Sequence, residues 1–166
     1  NWSKNMFNLN TKRAVVEKDG KIEWVSGSFG SHISYLYPMS ILKGENSKME
    51  YTGITFAGKG QNLDTGVKVV HRAPNTSSVM NSKSISKDGG ASMDIRNDEV
   101  DIGHEAKIGR ISDDTIFYLM SRGISEADAR AMIVSGFAEP IAKELPLEYA
   151  VEMNNLIRLE MEGTIG

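Results

Sequence analysis

Residues 41–51, ILKGENSKMEY, set two apolar residues before a polar corner of Gly44, Glu45, Asn46 and Ser47, then alternate Met49 and Tyr51 with charged neighbours. The same design occurs before it at 14–24, AVVEKDGKIEW, and after it at 69–81, VVHRAPNTSSVMN. Taking Ile22, Met49 and Val79 as equivalent positions gives intervals of 27 and 30 residues. A repeat of that length is one supersecondary unit that cannot bury its apolar face alone and must stack on copies of itself. With Gly and Asn at the corners, the pattern predicts strands wound into a parallel β-solenoid; an antiparallel sandwich is the alternative. From Ala14 to about Gly90 the chain reads as strands and turns with little helical period.

Beyond Gly90 the character changes. Val100 and Ile102 alternate as in a last strand, and then helix starts appear. Ser112 before Asp113 and Asp114 is an N-cap with acidic residues in the first turn, where they complement the helix dipole. Gly123 ends that helix. Ser125 with Asp128 opens a second, which Gly136 and Pro140 are expected to interrupt or kink. Pro146 opens a third, running to Gly163. The expected organisation is a β-helical core over 1–110 and a helical, partner-docking part over 111–166.

Composition narrows the function. The 166 residues are 40% hydrophobic with a formal net charge of -3, and an isoelectric point near 5.7 lacks the basic surface that displaces counterions from nucleic acid. The helix pair in LMSRGISEADARAMIVSGF (119–137) is poor in base-reading side chains at the start of its second helix. No cysteine occurs, which excludes disulfides, thiolate metal sites and a Cys nucleophile within these residues. No apolar run approaches the roughly 20 residues that span a bilayer, so a cytoplasmic protein is expected. The chain starts at Asn1 and Trp2 without Met, as a fragment would.

Motifs of catalysis are thin. His32, His71 and His104 are scattered without metal-ligand spacing. The glycine-rich SGSFGS (26–31) and AGKGQ (57–61) do not match a phosphate loop. His104 and Glu105 offer an imidazole beside a carboxylate, but neighbours in a strand point to opposite faces. A solenoid enzyme acting on polysaccharide would need clustered carboxylates on one face, whereas the acidic residues here fall mainly in turns and helices.

The stretches NLNTKRAV (8–15), YPMSILKGENS (37–47), DTGVKVVH (64–71), NTSSVMNSKSIS (75–86), GHEAKIGRIS (103–112), IFYLMSRGIS (116–125), IVSGFAEPI (133–141), ELPLEYAVEMN (144–154) and EMEGTIG (160–166) together resemble the carboxy-terminal part of the SufB/SufD scaffolds of iron–sulfur cluster assembly, and lean towards SufB. The resemblance implies a right-handed parallel β-helix followed by a small helical domain that docks an ABC-type ATPase, SufC. It also implies a scaffold rather than an enzyme, pairing through the β-helix with SufB, SufD or itself, with a transient iron–sulfur cluster as cargo. A flavin is raised by the resemblance, but no motif here supports it. Position by position, Trp2 and Lys12 match residues on a sulfur-transfer path, and His104 and Glu105 match a motif near the cluster site, with Glu105 an oxygen ligand to iron.

Two departures from that family stand out. Its members carry tens of residues, including the cluster-ligating cysteine, where Gly90 here runs almost directly on, so a segment is expected to be missing between Gly90 and Ala91. Gly103 also stands where a carboxylate often precedes the His-Glu pair, and Val15 where some members have Cys. A β-helix enzyme on a polysaccharide and a cluster-free structural adaptor are the alternative functions.

Overall fold

The computed structural model describes the chain except residues 1–2, 4, 87–89, 93–94, 97–101, 144 and 163–166, and describes only the backbone of the remainder of 90–110 and of 160–162. Among the described residues, twelve strands wind as four coils of three. The first coil is β1 (Phe7–Asn10), β2 (Arg13–Val16) and β3 (Lys21–Ser28), and the second is β4 (Ile33–Leu36), β5 (Met39–Leu42) and β6 (Lys48–Ala57). The third is β7 (Asn62–Thr65), β8 (Val67–His71) and β9 (Ser77–Ser86), and the fourth β10 (Gly90–Ser92), β11 (Ile95–Arg96) and β12 (Ile102–Arg110). Each strand stacks on its counterpart one coil away, giving three four-stranded sheets, β1-β4-β7-β10, β2-β5-β8-β11 and β3-β6-β9-β12. Every pairing is parallel, which makes the fold a β-solenoid and removes the antiparallel sandwich.

Register corrects one detail of the repeat. Ile22 pairs with Met49, but Met49 pairs with Ser78, while Val79 stands opposite Glu50. The second interval is therefore 29 residues, not 30. Ser78 is 2% exposed and Val79 42%. A one-residue slip along a strand exchanges the two faces, and apolar character picked the outward residue because the inward one is a serine.

Corners follow from the residues that occupy them. Asp19, Asn46 and Asn75 all have φ near +60°, a left-handed conformation that short polar side chains tolerate better than most. Their backbones tie successive coils: Asp19 N–H donates to Glu45 O at 2.9 Å and Asn46 N–H to Pro74 O at 3.4 Å.

Two cores result. Inside the coils, Val16, Leu42, Met49, Tyr51, Val67, Val69 and Met80 pack together. The second lies outside, where the third sheet turns Ile54, Phe56 and Ile85 outward against helices. The helices are α1 (Asp113–Ser121), α2 (Glu126–Ala142) and α3 (Leu147–Glu162). Ile116, Val134, Ala138, Ile141, Met153 and Ile157 close that core, each large aliphatic side chain contributing about 1.5–3 kcal/mol when fully buried. Ser125 caps α2 by accepting from Asp128 N–H at 3.2 Å. Ser112 occupies the corresponding place before α1 without a side-chain cap bond. The interruption expected in α2 is absent: the helix runs through Gly136 and Pro140 to Ala142, although Pro140 has no N–H to donate to the carbonyl four residues back.

Candidate functional site

Lys12 sits at the exposed corner between β1 and β2. Its carbonyl accepts from Met39 N–H of the next coil at 3.0 Å and from Arg13 Nη1 at 3.0 Å, so the corner is fixed through the backbone while the ammonium is exposed. Trp2 lies outside the described residues. His104 and Glu105 belong to β12, where His104 takes the register position of Met80 and Glu105 that of Asn81. Met80 is fully buried and Asn81 exposed. Their own side chains lie outside the described parts. The first coil carries Lys12 at a corner and the fourth His104 and Glu105 on β12, about 14 Å apart along the axis at the usual strand spacing.

Sequence reasoning missed a polar lining inside the coils. Trp24 Nε1 donates to Ser40 Oγ at 2.8 Å, Thr55 and Thr65 hydroxyls bond each other at 2.8 Å, and the Tyr51 hydroxyl bonds Ser26. Gln61 accepts from Gly58 N–H at 2.6 Å and donates to Ser31 O at 2.7 Å. The available signal was the run of small hydroxyl residues at alternate positions in SSVMNSKSIS (77–86): Ser78, Ser82 and Ser84 are all buried.

Among the described residues, two titratable groups enter this interior, and burial keeps both neutral. It raises the Tyr51 phenol above its usual value, against the opposing Ser26 bond, and lowers His71. His71 Nδ1 meets Thr76 Oγ1 at 2.7 Å and Nε2 meets Ser78 Oγ at 3.2 Å. Thr76 already donates its proton to Ala73 O at 3.1 Å, which assigns the imidazole proton to Nδ1 and the lone pair to the Ser78 hydroxyl. Among the described residues, the interior is a neutral hydrogen-bonding surface without a poised acid and base.

Outside, the stacked carboxylates Glu23 and Glu50 share the Lys21 ammonium at 2.5 and 2.9 Å, and hydrogen bonds to them, Glu23 first, raise the Lys21 pKa. Glu17 pairs with Lys43 at 3.1 Å. Glu17 is thus matched one to one, whereas Glu23 and Glu50 divide a single ammonium. Among the described residues, no group of three or more His, Asp and Glu could hold a metal ion.

A cavity of about 420 Å³ opens between the outer face of the third sheet and the last two helices, lined by Val25, Phe29 and Ile54 from the sheet side and Ile141, Tyr149 and Met153 from the helices. The helices also leave large apolar side chains in solvent: Leu147 is 77% exposed, Phe117 75% and Tyr149 67%. Among the described residues, no helix is long and apolar enough to cross a membrane.

Comparison with known proteins adds the following. The family described as "SUF system FeS cluster assembly, SufBD core domain" matches residues 1–93 and again 91–137. Iron–sulfur cluster assembly SufBD family proteins of Staphylococcus saprophyticus, Staphylococcus aureus and Staphylococcus haemolyticus are each 45% identical to it, over the whole of this chain and 44% of their own length. The chain therefore spans less than half of these relatives. Each alignment runs over 203 positions for the 166 residues here, so 37 positions have no counterpart in this chain.

Proposed function

Because the chain belongs to the SufBD core family of iron–sulfur cluster assembly proteins, we propose that it serves as a scaffold subunit: the solenoid is a dimerisation platform for a second SufB- or SufD-like chain, and the helices dock a SufC-like ABC ATPase. The observation that carries this reading is the exposed apolar side chains of the helices, Phe117 on α1 and Leu147 and Tyr149 on α3, on elements anchored to the third sheet through a shared core. A face that is apolar, exposed and rigidly held is what a protein partner uses. Among the described residues, neither the neutral interior nor the outer carboxylates gather an acid and a base for catalysis on a polysaccharide.

In this reading the nascent cluster is cargo and the protein acts in the cytoplasm. Lys12 and Trp2 belong to a sulfur-transfer path along the solenoid, and Glu105 and His104 contact iron through oxygen and nitrogen. No residue supports a flavin.

The test is docking. Leu147→Glu combined with Tyr149→Glu puts charge at exposed positions, so the fold is expected to survive while binding to the ATPase, read by co-elution or calorimetry, is lost. Wild-type binding by a folded double variant would sink the docking assignment.

A further inference from the structure

The cavity between the outer face of the third sheet and the last two helices has a dry floor and an open rim. Phe29, Ile54, Ile141 and Met153 line it, each under 8% exposed. At the rim Val25 is 54% exposed and Tyr149 67%, and Glu152 is exposed as well. A volume of about 420 Å³ falls within the range of about 300–1,000 Å³ that small-molecule sites occupy, and an apolar wall with few polar groups is their usual lining.

The polar part of this lining comes from α3. Tyr149, Glu152, Met153 and Leu156 all face the cavity, since spacings of three and four residues share one side of a helix. Glu152 is the one formally charged residue among the described lining residues. Among the described residues its carboxylate has no ion-pair partner, whereas Glu139 of α2 is paired with Lys143 at 2.7 Å. Aromatic rings lie at both levels, Phe29 in the floor and Tyr149 at the rim, and a ring face attracts a cation. Residues 111–166 carry ten Asp and Glu against four Lys and Arg, so the helical part as a whole favours cations over anions.

We propose that this cavity binds a small organic cation, an ammonium carried on an aryl or short alkyl group. The apolar group occupies the floor, and the ammonium stays at the rim with the Glu152 carboxylate and the Tyr149 ring. There it keeps part of its hydration, so the desolvation that penalises buried ion pairs is small. A neutral molecule would leave the carboxylate without a counter-charge, and an anion would be repelled by it. The site goes beyond the scaffold reading and does not depend on it, since it needs only the packing of α3 against the third sheet.

Three matched probes test the proposal. 4-Phenylbutylamine, 4-phenylbutanol and 4-phenylbutanoate share one apolar group and are cationic, neutral and anionic at pH 7. Their binding to the 166-residue chain is measured by calorimetry, with saturation-transfer NMR for weak complexes. The amine is expected to bind about tenfold more tightly than the alcohol, from an exposed ion pair and a cation–π contact together, and the carboxylate most weakly. Equal affinities, tighter binding of the carboxylate, or no binding of the amine at millimolar concentration overturns the proposal.

Two substitutions locate the charge. Glu152→Gln and Glu152→Arg alter an exposed side chain, so both should keep the wild-type unfolding midpoint. Glu152→Gln should bring the amine to within about threefold of the alcohol. Glu152→Arg should reverse the order, with the carboxylate tightest and the amine weakest. An undiminished preference for the amine in both variants would place its binding elsewhere and overturn the assignment to this cavity.

Discussion

The Asn46 side-chain amide donates to the carboxylate of Asp19, one coil below it, at 3.0 Å, and both residues are left-handed, with φ of 60° and 57°. The corner is thus held by a backbone conformation and a side-chain rung together. Alanine at 46 loses the rung and strains the backbone, at a combined cost of about 1–2 kcal/mol. Glycine loses the rung but adopts the conformation freely, and an exposed hydrogen bond is worth little, so Asn46→Gly should lie within about 0.5 kcal/mol of the parent. Urea unfolding of both variants checks the order; equal losses would show that conformation is not what asparagine supplies here.

Two glycines make opposite predictions. A Cβ on Gly44 would lie 1.9 Å from Lys18 N, a backbone atom of the coil below that cannot move without parting the stack. Gly44→Ala should therefore cost about 3 kcal/mol or more, with loss of soluble protein the expected readout. Gly136 is exposed within α2, and a Cβ there meets nothing within 4 Å. Gly136→Ala should stabilise by about 0.5–1 kcal/mol through helix propensity, visible as a higher unfolding midpoint.

These contrasts explain how far the sequence could be read. The corners at Asp19, Asn46 and Asn75 announce the coil spacing because their chemistry is local, and Ser112, Ser125, Gly123 and Pro146 likewise mark helix ends. Register was harder. It is set by stacking, and where the interior accepts Ser78, Ser82 and Ser84 the rule that apolar residues face inward misplaces a strand by one. The docking of the helices on the outer face of the third sheet was legible only afterwards, in Ile54, Phe56 and Ile85 on the side that would otherwise face solvent. Of the candidate site, residue types could be chosen but not their separation, because Lys12 and His104 are kept apart by the number of coils between them.

Lys83 ties the two parts of the molecule. From β9 its ammonium donates to Phe137 O of α2 at 3.2 Å and lies 5.4 Å from the centre of the Phe137 ring. A charge-assisted hydrogen bond with a cation–π contact makes Lys83→Met cost about 1–2 kcal/mol. The loss should be regional: hydrogen exchange should quicken in α2 while β5 and β8 keep their protection. Uniform acceleration across sheets and helices would mean that Lys83 supports global stability rather than this docking.

His71 makes stability depend on pH in a predictable sense. Burial lowers its folded-state pKa beneath the unfolded value of 6.5, because the cation loses hydration. The unfolded chain therefore binds the proton more readily. The stability present above about pH 6.5 must fall as the pH drops through the folded-state pKa. Protonation also removes the lone pair that accepts from Ser78, in a site where both neighbouring groups are neutral and give the cation no counter-charge. His71→Gln keeps a donor and an acceptor but does not titrate. Between about pH 7 and pH 5, above most carboxylate titrations, its unfolding free energy should change less than that of the parent, even if it is lower at neutral pH. Parallel urea titrations at several pH values give the slopes, and equal slopes for the two proteins would assign the acid sensitivity to other groups.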